Sequence, residues 1–345
     1  MTIQEIAELA GVSPTAVSFV LNDRPGVGPE KRAKIRLLLE KYGYQVRQRQ
    51  PAAKPSGHIK FIKMRAAYQN DYFAAGLLDA VEHSAARFGY RISLANLTPE
   101  SDIRDLFAHE SEPIDGMIYL ASSFTQHEVR QTMKLPFPAV YIDYEEEPDN
   151  LYQLNTVNAD NDQAAYLAVR HLLSLRHRRI GYLKSTQPMG CLRQRFRFLR
   201  QHLSAFGMGM SDQHVIEVDL SQEDLDWQLA RKFAALGDLP DAFIAENDVI
   251  AAAAVYAMHH MGCRVPEDIS VIGFDNTQIA QRMTPGLSTI DVSVDELAVS
   301  AVERLQNLIR APHTAIHIQV GVQLVVRNST MYREKARRPA GWPLS

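Results

Sequence analysis

A chain of 345 residues, 46% hydrophobic and 22% charged, is long enough for two or three buried cores and has the composition of an ordinary folded protein. No apolar run approaches the roughly 18 residues of a membrane span, and the start MTIQEIAELA lacks the basic-then-apolar pattern of a secretory leader, so a cytoplasmic protein without membrane contact is expected. Residues 1–60 carry ten Lys+Arg against five Asp+Glu, a charge of +5 within a chain of net −3, which leaves −8 on the remainder. A basic head on an acidic body suits a head that meets a polyanion, and chance segregation of surface charge gives the same picture. The two cysteines, Cys191 and Cys263, stand far apart with no CxxC and no HExxH, which argues against a disulfide framework or a zinc site; no metal and no cofactor are expected.

Three short helices follow one another at the N-terminus. The first opens at Thr2, with Glu5 three residues later as in a capping box, places Ile3, Ile6, Leu9 and Ala10 at helical spacing, and closes at Gly11. Ser13-Pro14 opens the second: serine caps free amides, and proline in the first turn costs no hydrogen bond. Ala16, Val17, Val20 and Leu21 then face inward, leaving Thr15, Ser18, Phe19 and Asn22 outward. The third begins at Gly28-Pro29-Glu30, buries Ile35, Leu38, Leu39 and Tyr42, stops at Gly43, and carries Lys31, Arg32, Lys34 and Arg36 at its start and outer face. Two helices joined by a short turn containing glycine form a helix-turn-helix unit. The second helix of such a unit fits the major groove, while bases, hydroxyls and helix N-termini hold phosphates. A plain three-helix bundle for protein contact uses the same pattern.

TIQEIAELAGVSPTAVSFVLND and VGPEKRAKIRLLLEKYGY resemble the DNA-binding domain of the LacI/GalR repressor family, whose pattern is roughly T-I-x-D-V-A-x-x-A-G-V-S-x-x-T-V-S-R-V-L-N, without a gap through about 44 residues. The resemblance implies a domain over residues 1–46, major-groove contacts from Pro14, Thr15 and Phe19, and phosphate contacts near Thr2, Ile3, Ser13, Ser18, Asn22 and Lys31. Phe19 stands where the family has Arg; Arg reads guanine through two hydrogen bonds, whereas Phe offers only apolar contact, for instance to a thymine methyl. Gly28 and Lys31 replace a customary Ser and Thr.

Residues 47–58 read as a linker containing Pro51, Pro55, Gly57 and the bases Arg47, Arg49 and Lys54. In the resembling family this stretch forms a short helix on DNA whose Leu wedges into the minor groove. Here Ala53 sits nearest that Leu and Pro55 stops any helix, so a weak or absent hinge helix is expected, leaving a flexible tether or basic side chains entering a narrow minor groove.

From residue 59 strand-like and helical runs alternate. HIKFIKMR precedes a helix over 72–88; YRISLANL precedes a helical stretch near 102–109; IDGMIYLAS precedes 126–134 and is followed by PFPAVYID. A second series pairs helices over 162–175, 193–206, 225–236 and 249–261 with RRIGYLKS, VIEVDL, DAFIAEND and ISVIGFDN, and a helix over 294–309 leads to the β-rich HIQVGVQLVVRNST. Repeated β-α units make parallel sheets, and two series make two lobes. No GxGxxG, GxxxxGK[ST] or GxSxG appears, and the acids at strand ends assemble no nucleophile, base and orienter, so no enzyme is expected. Ligands of open α/β sheets bind at the carboxyl ends of strands. That rule selects Tyr72, Phe73, Ser122, Ser123, Asp143, Asp160, Asn247, Asp248, Asp275 and Asn276, a mixture of acids, amides and aromatics suited to a hydroxyl-rich ligand.

The likeness extends through this core: PDAFIAENDVIAAAAVYAMHHMGCRVPEDISVIGFDN resembles PDAxFAxND…G…VPEDVSVxGFDD, and VNADNDQAA, TPGLSTI and QLVVRNST have counterparts as well, so about 330 of 345 residues are covered. It implies an α/β, two-lobed, periplasmic-binding-protein-like core with parallel sheets over 59–332, a tail over 333–345, and an effector cleft lined by Phe73, Ser123, Asp160, Arg195, Asn247 and Asp275. Some have structural alternatives: Phe73 as lobe core, Asn247-Asp248 as a helix cap, Asp275 as a loop cap. The family further implies a repressor that binds a near-palindromic double-stranded operator as a homodimer or tetramer, under control of a small, sugar-like effector. A periplasmic-type sugar-binding protein or an enzyme on the same core are the rivals.

Overall fold

Three helices, α1 (Ile3–Ala10), α2 (Pro14–Leu21) and α3 (Pro29–Lys41), make the N-terminal unit. The computed structural model describes residues 3–21, 27–42, 56–64, 72–98, 101, 103, 106, 113–145, 153–187, 189–236, 238–311 and 314–333, and the chain divides into units Met1–Pro55 and Ser56–Ser345. Ile6, Ala7 and Ala10 of α1 pack with Val17 and Val20 of α2 and Ile35 and Leu39 of α3. Leu9, expected on the buried face, is 50% exposed; at about 100° per residue it falls off the stripe defined by Ile6, Ala7 and Ala10. Tyr42 is also exposed, one residue past the end of α3. The Ser13 hydroxyl caps α2 by accepting from the Ala16 amide at 3.2 Å, and Gly11, with φ +68°, supplies the left-handed residue that ends α1. Lys34, expected among the outward bases, donates Nζ to the Ala10 carbonyl at 3.1 Å and so satisfies an orphan acceptor at the end of α1. Thr2, Asn22 and Gly43 lie outside the described residues, as do residues 47–55 of the linker.

The larger unit holds two six-stranded sheets. Lobe 1 pairs β1 (His58–Met64), β2 (Arg91–Leu97), β3 (Gly116–Leu120), β4 (Ala139–Ile142), β5 (Thr156–Ala159) and β11 (His317–Val320) in the order β11-β5-β4-β3-β1-β2, every pair parallel. Lobe 2 pairs β6 (Ile180–Ser185), β7 (Val215–Val218), β8 (Ala242–Ala245), β9 (Ser270–Phe274), β10 (Ser288–Asp291) and β12 (Gln323–Val325) as β12-β10-β9-β8-β6-β7, antiparallel only at β12. β3, β8 and β9 are buried at every position, as strands covered on both faces must be. On lobe 1, Leu77 and Val81 of α4 (Tyr72–Arg87) and Val302 and Leu305 of α11 (Val294–Arg310) cover Phe61, Ile118 and Val140. Val129 of α5 (Gln126–Thr132) packs with Tyr119 and Tyr141 on the other face. On lobe 2, α6 (Asn161–Ser174) and α7 (Gly190–Ala205) bury Val169, Leu199 and Leu203 against Tyr182 and Ile272. α8 (Leu225–Leu236) and the Ala-rich α9 (Asp248–His260) bury Phe233 and Met258 against Phe243 and Val271. Truncating such a core phenylalanine to alanine costs about 3–5 kcal/mol. Among the described residues no helix is long and apolar enough to cross a membrane.

The two lobes are not two successive halves. The chain passes between them after β5 at Asp160, after β10 at Val292–Ser293, and between β11 and β12 at Gly321. The tail expected as one β-rich unit therefore gives one strand to each sheet. The crossings are bonded together: the Asp160 amide donates to the Val320 carbonyl (2.9 Å) and the Val322 amide to Gln163 Oε1 (2.9 Å). The core begins at His58, inside the stretch read as linker, where the Asp115 carboxylate accepts the Ser56, Gly57 and His58 amides. It extends to Arg333, read as tail, whose guanidinium lies 3.1 Å from the Asp241 carboxylate. Apart from Ile103 and Leu106, the helical stretch expected near 102–109 lies mostly outside the described residues.

Gly181 on β6 is a sensitive position, because a Cβ there would meet Phe243 Cε1 at 2.5 Å and the His214 carbonyl at 2.9 Å. Gly181→Ala is expected to destabilise the protein by about 1–3 kcal/mol through overpacking. A lowered urea midpoint with unchanged slope is the expected reading, and an unaltered midpoint contradicts it.

Candidate functional site

In the N-terminal unit the candidate surface is the face of α2 turned from the core. Val17 and Val20 point inward; Pro14 and Thr15 are exposed and Phe19 is half-buried. Lys31 is exposed in the first turn of α3. Ile3 begins α1 and Ser18 lies within α2.

In the larger unit the candidate site lies at the carboxyl ends of the strands, where lobe 1 faces lobe 2, and its centre is Arg195 of α7. The residue is 4% exposed, and its surroundings hold it in place. Nε donates to Asn161 Oδ1 (3.1 Å), Nη1 to the Glu246 carbonyl (2.6 Å), and the guanidinium stands over the Phe274 ring at 4.2 Å. Burial opposes its charge, but Asp275 foremost and Asp143 among others hold the proton more firmly than usual. Asp275 follows β9 with φ +99°, and Asn276 follows with φ +52°. Backbone of this kind persists only where neighbours impose it, and here they do. The Asp275 amide donates to the Ile290 carbonyl (2.8 Å), and Asn276 is held by Arg327 (2.6 Å) and Asp291 (3.0 Å).

Asn247 caps α9, its Oδ1 accepting from the Ile250 amide at 2.9 Å, so the cap weighed as its structural alternative is present and Nδ2 remains as a donor. Asp160 caps α6 through Oδ1, which accepts the Gln163 amide at 2.9 Å. Phe73, in the first turn of α4, packs against both the lobe 1 core and the core beneath α6 and α7. Ser123 is exposed after β3, and no hydrogen bond ties it to this group. Thus Arg195 and Asp275 are brought together electrostatically, with Asn247 beside the carbonyl that holds Arg195, while Asp160 is committed to its helix.

Four residues escaped the sequence reading of the cleft. Asn161 orients Arg195 and stands beside Asp160 in a motif already noted. Glu246 precedes Asn247 at a strand end, where the same rule could have found it. Cys191 donates its thiol to Asp143 Oδ2 at 3.2 Å, and Glu145 lies 3.7 and 3.9 Å from Arg193 and Arg197. Both pairs join lobe 1 to lobe 2, and local sequence carries no sign of either. Burial, with Asp143 adding to it, pushes the Cys191 thiol well up, so it is a donor rather than a nucleophile.

Two buried carboxyls underlie the site. Asp248, fully buried, accepts from the Thr277 amide (2.7 Å), the Thr277 hydroxyl (3.0 Å) and the Thr289 hydroxyl (2.6 Å), pinning the β9 loop to α9. Burial raises it to about 6 despite these donors. Glu246 accepts the Ser185 amide, and burial raises it to about 7 against the opposing pull of that amide, Arg195 and Lys184.

A DNA-reading helix-turn-helix and a two-lobed ligand-binding core define a class of protein, and comparison with known proteins gives the same class. Residues 2–46 match the bacterial regulatory proteins of the lacI family, and residues 169–330 match a periplasmic binding protein-like domain. The HTH-type transcriptional repressor PurR of Photobacterium profundum is 26% identical over 334 residues, covering 95% of this chain and 98% of the relative. A transcriptional regulator CelR in complex with cellobiose shares the fold at TM-score 0.70 and 23% identity, covering 95% of this chain and 99% of that one. The lac repressor dimer bound to operator and the anti-inducer ONPF shares it at TM-score 0.69 and 23% identity, covering 96% and 99%. The head is thus a lacI-type helix-turn-helix domain and the core is periplasmic-binding-protein-like, the combination found along nearly the whole length of relatives that are transcriptional regulators.

The raised carboxyls carry a pH dependence of definite sign. From about pH 4.5 to 7 the folded chain keeps a proton on Glu246 that the unfolded chain has lost, so stability falls as pH rises through that window. Asp248 adds a decline of the same sign up to about pH 6. Glu246→Gln, whose amide oxygen can still accept from Ser185, is expected to remove on the order of 3 kcal/mol of the loss between pH 5 and 8. Urea midpoints at the two pH values check this; an undiminished loss in the variant refutes it.

Proposed function

We propose that the chain is a transcriptional repressor acting in the cytoplasm. As a homodimer it binds a near-palindromic operator, and it is controlled by a sugar or sugar derivative held between its lobes. α2 enters the major groove with Pro14, Thr15 and Phe19 toward the bases. Thr2, Ile3, Ser13, Ser18, Asn22 and Lys31 hold phosphates; the Ser13 hydroxyl, while accepting from Ala16, keeps its proton for a phosphate oxygen. The heads of two subunits address two half-sites related by the dimer axis.

The observation that carries the effector half is the setting of Arg195. A guanidinium anchored by Asn161 and the Glu246 carbonyl, with Asp143 and Asp275 nearby, offers donors and acceptors at fixed positions and little net charge. That is the chemistry of a polyhydroxyl ligand. Asn247 Nδ2 and the second oxygen of Asp160 add to it, Phe73 offers an apolar face, and Ser123 closes the lobe 1 side. The cellobiose complex of CelR supports the ligand class, and the operator-bound lac repressor dimer supports the assembly. The effector acts through its differential affinity for two lobe arrangements, since equal affinity for both shifts nothing.

Purified protein melted with a panel of sugars, sugar phosphates and purines tests this, because a ligand of the folded state raises Tm by mass action. A rise with one sugar class is expected. Asp275→Asn, a residue type that tolerates positive φ, is expected to abolish that rise while leaving operator binding intact. A rise with purines alone overturns the sugar assignment and leaves the regulator in place.

A further inference from the structure

α2 has eight residues, and its two core-facing side chains, Val17 and Val20, fix its orientation. At about 100° per residue, Thr15 and Phe19 lie one above the other on the opposite side. The head's core consists of Ile6, Ala7, Ala10, Val17, Val20, Ile35 and Leu39, with Val12, Val27 and Leu38 packed against it; Phe19 belongs to neither set. A half-buried aromatic ring outside the head's core set therefore lies in the middle of the outward face of α2.

The chemistry of base edges narrows what such a ring can face. In the major groove guanine presents two acceptors, adenine an acceptor and a donor, and cytosine a donor, whereas thymine adds a methyl group to its acceptor. A phenyl ring offers neither donor nor acceptor, so against guanine or adenine it covers polar atoms and leaves them unpaired, at a cost. The one base-edge feature complementary to it is a 5-methyl group on a pyrimidine. We infer that Phe19 is a specificity-determining residue that selects a 5-methylpyrimidine, ordinarily thymine, in each half of the operator. This rests on the reading of α2 as the groove-entering helix, and it assigns a base to a position where an arginine would call for guanine.

The test uses the full-length protein and an operator selected from a random duplex pool. Each thymine of the half-site is replaced in turn by deoxyuridine, which removes the methyl group alone. One symmetry-related pair is expected to respond, with affinity falling about fourfold per half-site, the worth of one buried methyl. In Phe19→Ala that response is expected to vanish at that pair and persist elsewhere, and Phe19→Leu, which keeps an apolar side chain of similar bulk, is expected to retain part of it while the head stays folded by its helical circular dichroism. Replacing the responsive T·A pair by 5-methylcytosine·guanine is expected to bind more tightly than cytosine·guanine, which separates the methyl from the rest of the pair. The inference is overturned if no thymine responds to demethylation, or if the response survives Phe19→Ala. A pool that yields no enriched sequence overturns the groove-reading assignment itself, and this inference with it. An enriched operator indifferent to demethylation overturns only the latter.

Discussion

Three passages of the chain between the lobes, all on the same edge of the two sheets, are the constraint on which the rest of the larger unit depends. β5 and β11 neighbour each other in one sheet and β10 and β12 in the other, so the passages run side by side. Gln163 ties two of them together, its side chain accepting from the Val322 amide while its own amide donates to the capping Asp160 carboxylate. Asp291 ties the third to the loop after β9: one oxygen accepts from Ser293 at the crossing and the other from Asn276 beside Asp275. All three covalent links between the lobes lie on that side, and the loop that carries Asp275 is bonded to one of them.

Across that cleft, the cost of burying Arg195 is offset locally. Taking an ion out of water costs several kcal/mol unless charges and hydrogen bonds replace the water. Asn161, the Glu246 carbonyl, the Phe274 face and the neighbouring acids do so here. The acids come from both lobes, so the electrostatic balance of the site depends on how far it is closed. Cys191 with Asp143, and Glu145 with Arg193 and Arg197, close the same gap by direct contact.

Much of this was legible in the residues because long elements announce themselves. The helix read at 225–236 spans Leu225–Leu236, and the buried strands showed as continuous apolar runs. β5 and β10 were not legible: TVNA and STID are four residues long, at least half polar, and lead straight into crossings, so no periodicity can develop. Nor could adjacency in sequence show that β11 and β12, two residues apart, belong to different sheets. In the candidate site, the strand-end rule points to Asn247 and Asp275, which follow β8 and β9, whereas Arg195, on α7, is suggested by the family likeness alone. Asn161 and Glu246 went unread because their work is on another side chain rather than in the open cleft. The Glu145 and Cys191 contacts join segments about fifty residues apart, beyond the reach of any local pattern.

The interleaving of the lobes also orders their birth on the ribosome. The head has all its core residues, through Leu39, within the first tenth or so of the chain and can fold while the rest is still being made. Lobe 1 starts next but finishes nearly last. Its sheet lacks an edge strand until His317–Val320 emerges, and one face of its core stays open until α11 supplies Val302 and Leu305. A nascent chain therefore carries a complete helix-turn-helix head for much of its synthesis before either lobe has received its last strand.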